Sequence, residues 1–314
     1  MRIAFVFPGQ GSQQLGMLAA LAAEFPVVTA TYAEASAVLG EDLWTLTQQG
    51  PEERLNQTAH TQPVLLAAGV AVYRAWRAAG GAAPTLLAGH SLGEYTALVV
   101  AGAIDFADAL RLTRLRGELM QAAVPAGEGA MAAVLNAELS VVEDVCAEAS
   151  ALAPVQAANL NSPGQIVISG AAAGVARATE LFKARGVKRV LPLPVSVPSH
   201  SSLMRGAAEQ LGSALAAVAI RAPDLPVIHN VDACAHADPQ AIRRVLVEQL
   251  HQPVRWIDCV RALAAAGADT LIEGGPGKVL TGLIKRIDPA LGCHAIGEPA
   301  GLRDALTAIS GVTA

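Results

Sequence analysis

A serine set between two glycines, Gly89-His90-Ser91-Leu92-Gly93, constrains this chain more than any other feature. A short apolar stretch at 85–88 precedes it and reads as a buried strand, and 92–101 reads as a helix. Gly-x-Ser-x-Gly at a strand-to-helix junction is the nucleophile-elbow pattern. The turn leaves no room for side chains at the flanking positions, so both are glycine. The serine hydroxyl is thereby pushed out at the carboxyl end of the strand, above a helix N-terminus whose free amides can hold a developing oxyanion.

The rest of the chain supplies the sheet that such a turn needs. Residues 3–7 are predicted as a strand, followed by a glycine-rich loop, Pro8-Gly-Gln-Gly-Ser-Gln13. Helical stretches run to residue 79, most clearly over 63–79, and another covers 106–122. This alternation predicts a mostly parallel sheet covered on both faces. From Pro125 the rhythm changes. Strand 130–135, helix 140–149 with Ser140 as its cap, strand 155–159, a turn at 161–164, strand 165–169, helix 172–185 and strand 188–191 follow in order. That β-α-β-β-α-β order predicts a ferredoxin-like subdomain. It closes at Leu191-Pro-Leu-Pro194, so residues 127–197 read as an insert in an α/β core made of 1–126 and 198–314. The first rhythm then resumes, with helix 203–217, strand 226–229, helices 240–250 and 257–266, and strand 270–272. A glycine-rich run at 273–280, a helix, a strand near 293–296 and a final helix complete it.

Composition narrows the function. With 314 residues, 53% of them hydrophobic, the chain has material for a large core. A formal net charge of -5 argues against nucleic acid as the main partner. Cys146, Cys234, Cys259 and Cys293 have neither CxxC nor metal-ligand spacing, so free thiols in a reducing compartment are expected, and no metal. The chain runs directly into its first strand, with no signal peptide or membrane span in view, so a cytoplasmic location is expected. The first glycine-rich loop lacks the Lys-Ser/Thr of a Walker A motif, and no organic cofactor is expected.

A serine nucleophile needs a base, usually histidine. Of seven histidines, His200 stands apart: it follows the proline-punctuated exit from the insert, on a loop between two subdomains, where clefts form. His90 adjoins Ser91, but neighbours on such a turn point apart, so it reads as structural. His60, His229, His236, His251 and His294 take the default of surface or satisfied core. No Asp or Glu announces itself as a third member. Gln10 follows the first strand and should share a sheet edge with Ser91, either in a simple tight turn or with its backbone amide facing an oxyanion. Helix 106–122 carries Arg111, Arg114 and Arg116; arginines so spaced are ordinarily solvated, whereas a buried one would clamp a carboxylate bidentately.

Taken together, the motifs resemble those of the malonyl-CoA:acyl carrier protein transacylase family of bacterial type II fatty acid synthesis. The matching pieces are Phe7-Pro-Gly-Gln-Gly-Ser-Gln13, Thr61-Gln-Pro63, Gly89-His-Ser-Leu-Gly-Glu-Tyr95, Arg116-Gly117 and Gly129-Ala-Met-Ala132. They continue with Asn161-Ser-Pro-Gly-Gln165, Pro194-Val-Ser-Val-Pro-Ser-His200 and Gly274-Gly-Pro-Gly-Lys-Val-Leu280, spanning nearly the whole chain. The resemblance implies an α/β-hydrolase-like core with an inserted ferredoxin-like unit. It implies Ser91 as nucleophile, His200 as base and the backbone carbonyl of Gln249 as the group that orients the ring. It also implies an oxyanion hole from the amides of Gln10 and Leu92, with Gln10 against the substrate and Arg116 gripping the malonyl carboxylate.

The implied partners are malonyl-CoA and holo-acyl carrier protein, without cofactor or metal. Carriers of this kind are acidic, so Lys183, Arg185, Lys188 and Arg189 are expected to flank the cleft and meet the carrier. Other readings of the same motifs are the malonyl-transferring subunit of a malonate decarboxylase, an esterase or thioesterase, and a non-catalytic carrier-binding scaffold.

Overall fold

The computed structural model describes residues 2–195 and 197–310; Met1, Ser196 of the exit motif and 311–314, the end of the second core stretch, lie outside them. In chain order the strands are β1 (Ile3–Phe7), β2 (Leu86–Gly89), β3 (Gly129–Leu135), β4 (Val155–Ser162), β5 (Gln165–Ala171), β6 (Arg189–Pro192), β7 (Val227–Ile228), β8 (Thr270–Glu273) and β9 (Gly292–Ala295). Among the described residues they form two sheets. The larger has the order β7-β2-β1-β8-β9, and every pairing in it is parallel. Side chains of β1, β2 and β8 are buried along their whole length, as strands covered on both faces must be.

Alternation along β1 shows how both faces are filled. Ile3, Phe5 and Phe7 point to one side, where the Phe5 ring packs on Tyr73 and Trp76 of helix Thr58–Ala78. Ala4 and Val6 point to the other, against Trp256, Val260 and Leu263 of helix Trp256–Ala265.

The smaller sheet is antiparallel, in the order β4-β5-β3-β6. Helices Leu139–Ala149 and Ala172–Ala184 cover one of its faces, packing Val142, Val145 and Phe182 on Val134, Ile166 and Ile168. This is the ferredoxin-like arrangement expected for the insert, beside an α/β core. Its other face carries Met131, Ala133, Ala158 and Val167, with Leu193 and Val195 packed against them. Backbone ties strand β4 of the small sheet to the core segment just before helix Trp256–Ala265: Val254 N donates to Ala158 O at 2.8 Å, and Leu160 N donates to Val254 O at 2.9 Å.

Some local expectations differ from the structure. Ser140 is not a cap: the helix starts at Leu139 after an extended Glu138, with no side-chain cap hydrogen bond, its start set by packing onto the small sheet. The long helix begins at Thr58 and carries Pro63 inside it. Its first turns are held by helix Phe106–Ala122, where Gly117 makes room; a Cβ there would lie 2.5 Å from Thr58 O. Strand β4 runs on to Ser162, which confines the expected turn to Pro163 and Gly164. Among the described residues no helix is long and apolar enough to cross a membrane.

Candidate active site

Three neighbouring parallel strands deliver their carboxyl ends to one place. Gln10 follows β1, Ser91 follows β2 and Asn230 follows β7, and ligand sites of open α/β sheets form at such edges. The elbow is forced by close packing. A Cβ on Gly93 would fall 2.0 Å from Phe7 O, and one on Gly89 only 1.9 Å from the Gly93 carbonyl carbon. Ser91 itself takes φ 51°, a left-handed conformation costing about 1–3 kcal/mol. The Asn230 side chain offsets this: its Oδ1 accepts from Ser91 N and its Nδ2 donates to Gly89 O, each at 2.7 Å.

His200 comes from the loop after the exit segment, also with positive φ, 59°, and is held by its amide on Leu250 O at 3.0 Å. Its Nε2 lies 2.8 Å from Ser91 Oγ and its Nδ1 lies 2.7 Å from Gln249 O. A carbonyl can only accept, so Nδ1 carries the proton and Nε2 turns a lone pair to the serine hydroxyl. Burial, and after it the Arg116 charge, pulls the His200 pKa down to about 3. The imidazole is therefore neutral across the physiological range.

Arg116 is 1% exposed. Its Nη2 donates to Ser91 Oγ at 3.2 Å and to Gln249 Oε1 at 3.0 Å, and its Nη1 donates to Gln62 Oε1 at 2.8 Å. Its Cζ stands 5.6 Å from the centroid of the Tyr95 ring, and its Nε has no acceptor among the described residues. All its hydrogen-bond partners are neutral, so among the described residues this buried cation has no anion in direct contact and can receive one. The other two arginines of this helix differ. Arg111 is exposed and pairs with Asp108 at 3.0 Å, while Arg114 is largely buried against Glu41 and His60.

Leu92 and Gln10 line the cleft beside Ser91, and neither backbone amide has an acceptor among the described residues. The small sheet and the segment after it bring Met131, Leu193, Val195 and Val197, all apolar, together with Asn159 of β4. His90 lines the cleft as well, its Nε2 2.8 Å from Asn161 Oδ1 of β4, a contact between the elbow and the small sheet. Lys183, Arg185, Lys188 and Arg189 are all exposed, and none of them lines the cleft. Arg189 pairs with Leu135 at the end of β3 remote from Met131, ~13 Å along the strand. Arg185 is held by Glu148 at 2.6 Å.

Gln62, Glu94 and Asn230 were not singled out by sequence reasoning. Glu94 is wholly buried and accepts from His229 Nδ1 at 2.7 Å, Asn230 N at 2.9 Å and Gln249 Nε2 at 2.8 Å. Gln62 and Glu94 fall inside matched motifs without an assigned role, and Glu94 carries a signal of its own, a carboxylate inside the apolar helix that follows the elbow, Gly93–Val100. Asn230 offered a subtler one, a polar residue two positions beyond a strand end.

Known proteins resemble this chain along its length. It is 55% identical over 305 residues to the malonyl CoA-acyl carrier protein transacylase of Escherichia coli (strain K12), covering 97% of this chain and 99% of that one. The crystal structure of malonyl-CoA:acyl carrier protein transacylase from Xanthomonas oryzae pv. oryzae superposes with a TM-score of 0.96 at 58% identity, covering 98% of this chain and 99% of that one. A malonyl-transacylase in complex with its holo type II PKS acyl-carrier protein superposes equally well, at a TM-score of 0.96 and 52% identity, covering 98% of this chain and 100% of that one. The family model for the acyl transferase domain matches residues 4–287, and the chain belongs to that family.

Proposed function

We propose that this protein transfers the malonyl group of malonyl-CoA to the phosphopantetheine thiol of acyl carrier protein, through a malonyl ester on Ser91. The observation that carries this reading is the convergence on one hydroxyl of His200 Nε2, at 2.8 Å, and Arg116 Nη2, at 3.2 Å. His200 takes the proton as Ser91 Oγ attacks the thioester carbonyl. The new C–O bond gives a tetrahedral oxyanion, which the amides of Gln10 and Leu92 receive; one such donor is worth ~3 kcal/mol. Collapse breaks the C–S bond, and His200 returns its proton to the departing CoA thiolate. The carrier's thiol then gives a proton to His200 and attacks the Ser91 ester by the same path. Malonyl carrier leaves and Ser91 regains its proton.

Arg116 accounts for selectivity. Malonyl brings the carboxylate that this buried guanidinium lacks, and acetyl does not, which disfavours acetyl by on the order of 2–5 kcal/mol. A hydrolase of neutral esters does not need such a cation. In this reading residues 1–126 and 198–314 carry the chemistry, and 127–197 closes the cleft. Lys188 and Arg189, with Lys183 and Arg185, meet the acidic carrier at the outer end of the small sheet, the long pantetheine arm spanning the distance to Ser91. Transfer of this kind, with no membrane partner, fits a cytoplasmic setting and the supply of extender units for fatty acid synthesis.

Intact mass after brief incubation with malonyl-CoA or acetyl-CoA tests the proposal. Wild type is expected to gain a malonyl adduct, Ser91→Ala none, and Arg116→Ala to lose its preference for malonyl. Steady CoA release without an adduct would point instead to a thioesterase.

A further inference from the structure

Gln249 holds His200 with its backbone carbonyl, but its side chain reaches further into the site. Nε2 donates to Glu94 Oε2 at 2.8 Å and to Ser91 O at 3.0 Å, while Oε1 accepts from Arg116 Nη2 at 3.0 Å. Both Gln249 and Glu94 are wholly buried. Arg116 can only donate, and a carboxylate and a carbonyl can only accept, so this amide fits one way round.

We propose that the Gln249 side chain, anchored by Glu94, is a positioning group for Arg116 and thereby sets the preference for carboxylate-bearing acyl groups; this rests on the malonyl-transfer reading above. Arg116 is pinned by two neutral amides, Gln62 on Nη1 and Gln249 on Nη2. Neutral partners fix the plane of the guanidinium without cancelling its charge. A carboxylate in direct contact would cancel it and compete with the substrate. A buried carboxylate stands one residue away, at Glu94, where it also accepts from Asn230 N and His229 Nδ1. Glu94 thus orients the amide that orients the cation, and Arg116 stays open to an incoming anion.

Gln249→Met tests this, since it keeps side-chain length and the backbone carbonyl on His200 but removes both amide functions. Acylation by malonyl-CoA and by acetyl-CoA is measured as kcat/KM for each. The malonyl-to-acetyl ratio is expected to fall about tenfold, chiefly through a higher KM for malonyl-CoA, in keeping with one lost hydrogen bond to a charged group. Glu94→Gln is expected to lower the ratio in the same direction, and it carries the same readout should Gln249→Met fail to fold. An unchanged ratio would overturn the proposal, whether both substrates lose activity equally, which marks a merely structural side chain, or neither does. Wild type is run alongside. If it shows no malonyl preference or no Ser91 adduct, the malonyl-transfer reading itself fails.

Discussion

The two walls of the cleft are built on different physical terms. The core wall holds the half-buried Ser91 and the buried His200, Arg116, Gln249 and Glu94, polar groups bonded to one another at 2.7–3.2 Å. The opposite wall, from the small sheet and the segment after β6, is mainly apolar, with Met131, Leu193 and Val195 lining the cleft and Asn159 of β4 a polar residue among them. A buried polar network has few acceptable geometries, because each unpaired member costs the full desolvation of its group. An apolar wall has many, since volume is what it must conserve. The groups that meet the serine hydroxyl thus gather on the core, and the small sheet adds shape, access and two directional ties from β4: Asn161 to His90, and Gln156, whose Nε2 donates to His200 O at 3.1 Å.

Substitutions can break or sharpen that contrast. The largest effect belongs to Ser91→Ala, expected to abolish the acyl adduct in a mass spectrum while the fold is kept. Next, His200→Ala should slow acylation by roughly 10²–10⁴-fold, the range of general-base work. His200 also makes a pH prediction. Its folded pKa, about 3, lies below the unfolded value, so the stability it contributes is full above about pH 6.5 and is lost as pH falls toward 3. Denaturant titrations from pH 7 to pH 4 should show a steeper acid loss for wild type than for His200→Ala. Acylation kcat/KM in wild type should show no protonation limb near pH 6.5.

Arg116→Ala is expected to cost malonyl transfer ~2–5 kcal/mol in kcat/KM and acetyl transfer much less. Asn230→Ala leaves Ser91 N and Gly89 O without their partner, and should lower unfolding free energy by about 1–3 kcal/mol. Charge reversal at Lys188 and Arg189 should raise KM for the carrier alone; an equal rise for malonyl-CoA would remove these residues from the carrier's path. The smallest effect is assigned to the apolar wall: Leu193→Ala should change acylation by less than about threefold. A loss there as large as that of Arg116→Ala would overturn the division between the two walls.

The elements that sequence reasoning placed well are those whose signal is local. Phe5 and Val6 in an unbroken apolar run, Gly89 and Gly93 around Ser91, and the strand-helix order of residues 129–192 each follow from side chains close in sequence. Local rules failed where long-range packing decided. Ser140 looked like a cap and is not one, and the helix that read most clearly over 63–79 begins at Thr58, where Gly117, far along the chain, leaves room for it.

The sequence alone determined the alternation that builds two sheets, the elbow under Ser91 and, through motif resemblance, which histidine and arginine to watch. Only the tertiary structure decided that Arg116 is buried with no anion in direct contact while Arg114, two residues before it, is paired with Glu41. Only there do Glu94, Asn230 and Gln249, separated by up to 155 residues, share hydrogen bonds behind the serine. The reason is physical: periodicity records which face of an element is buried. What a buried polar group will meet there is fixed by which other elements arrive, and that is a property of the whole fold.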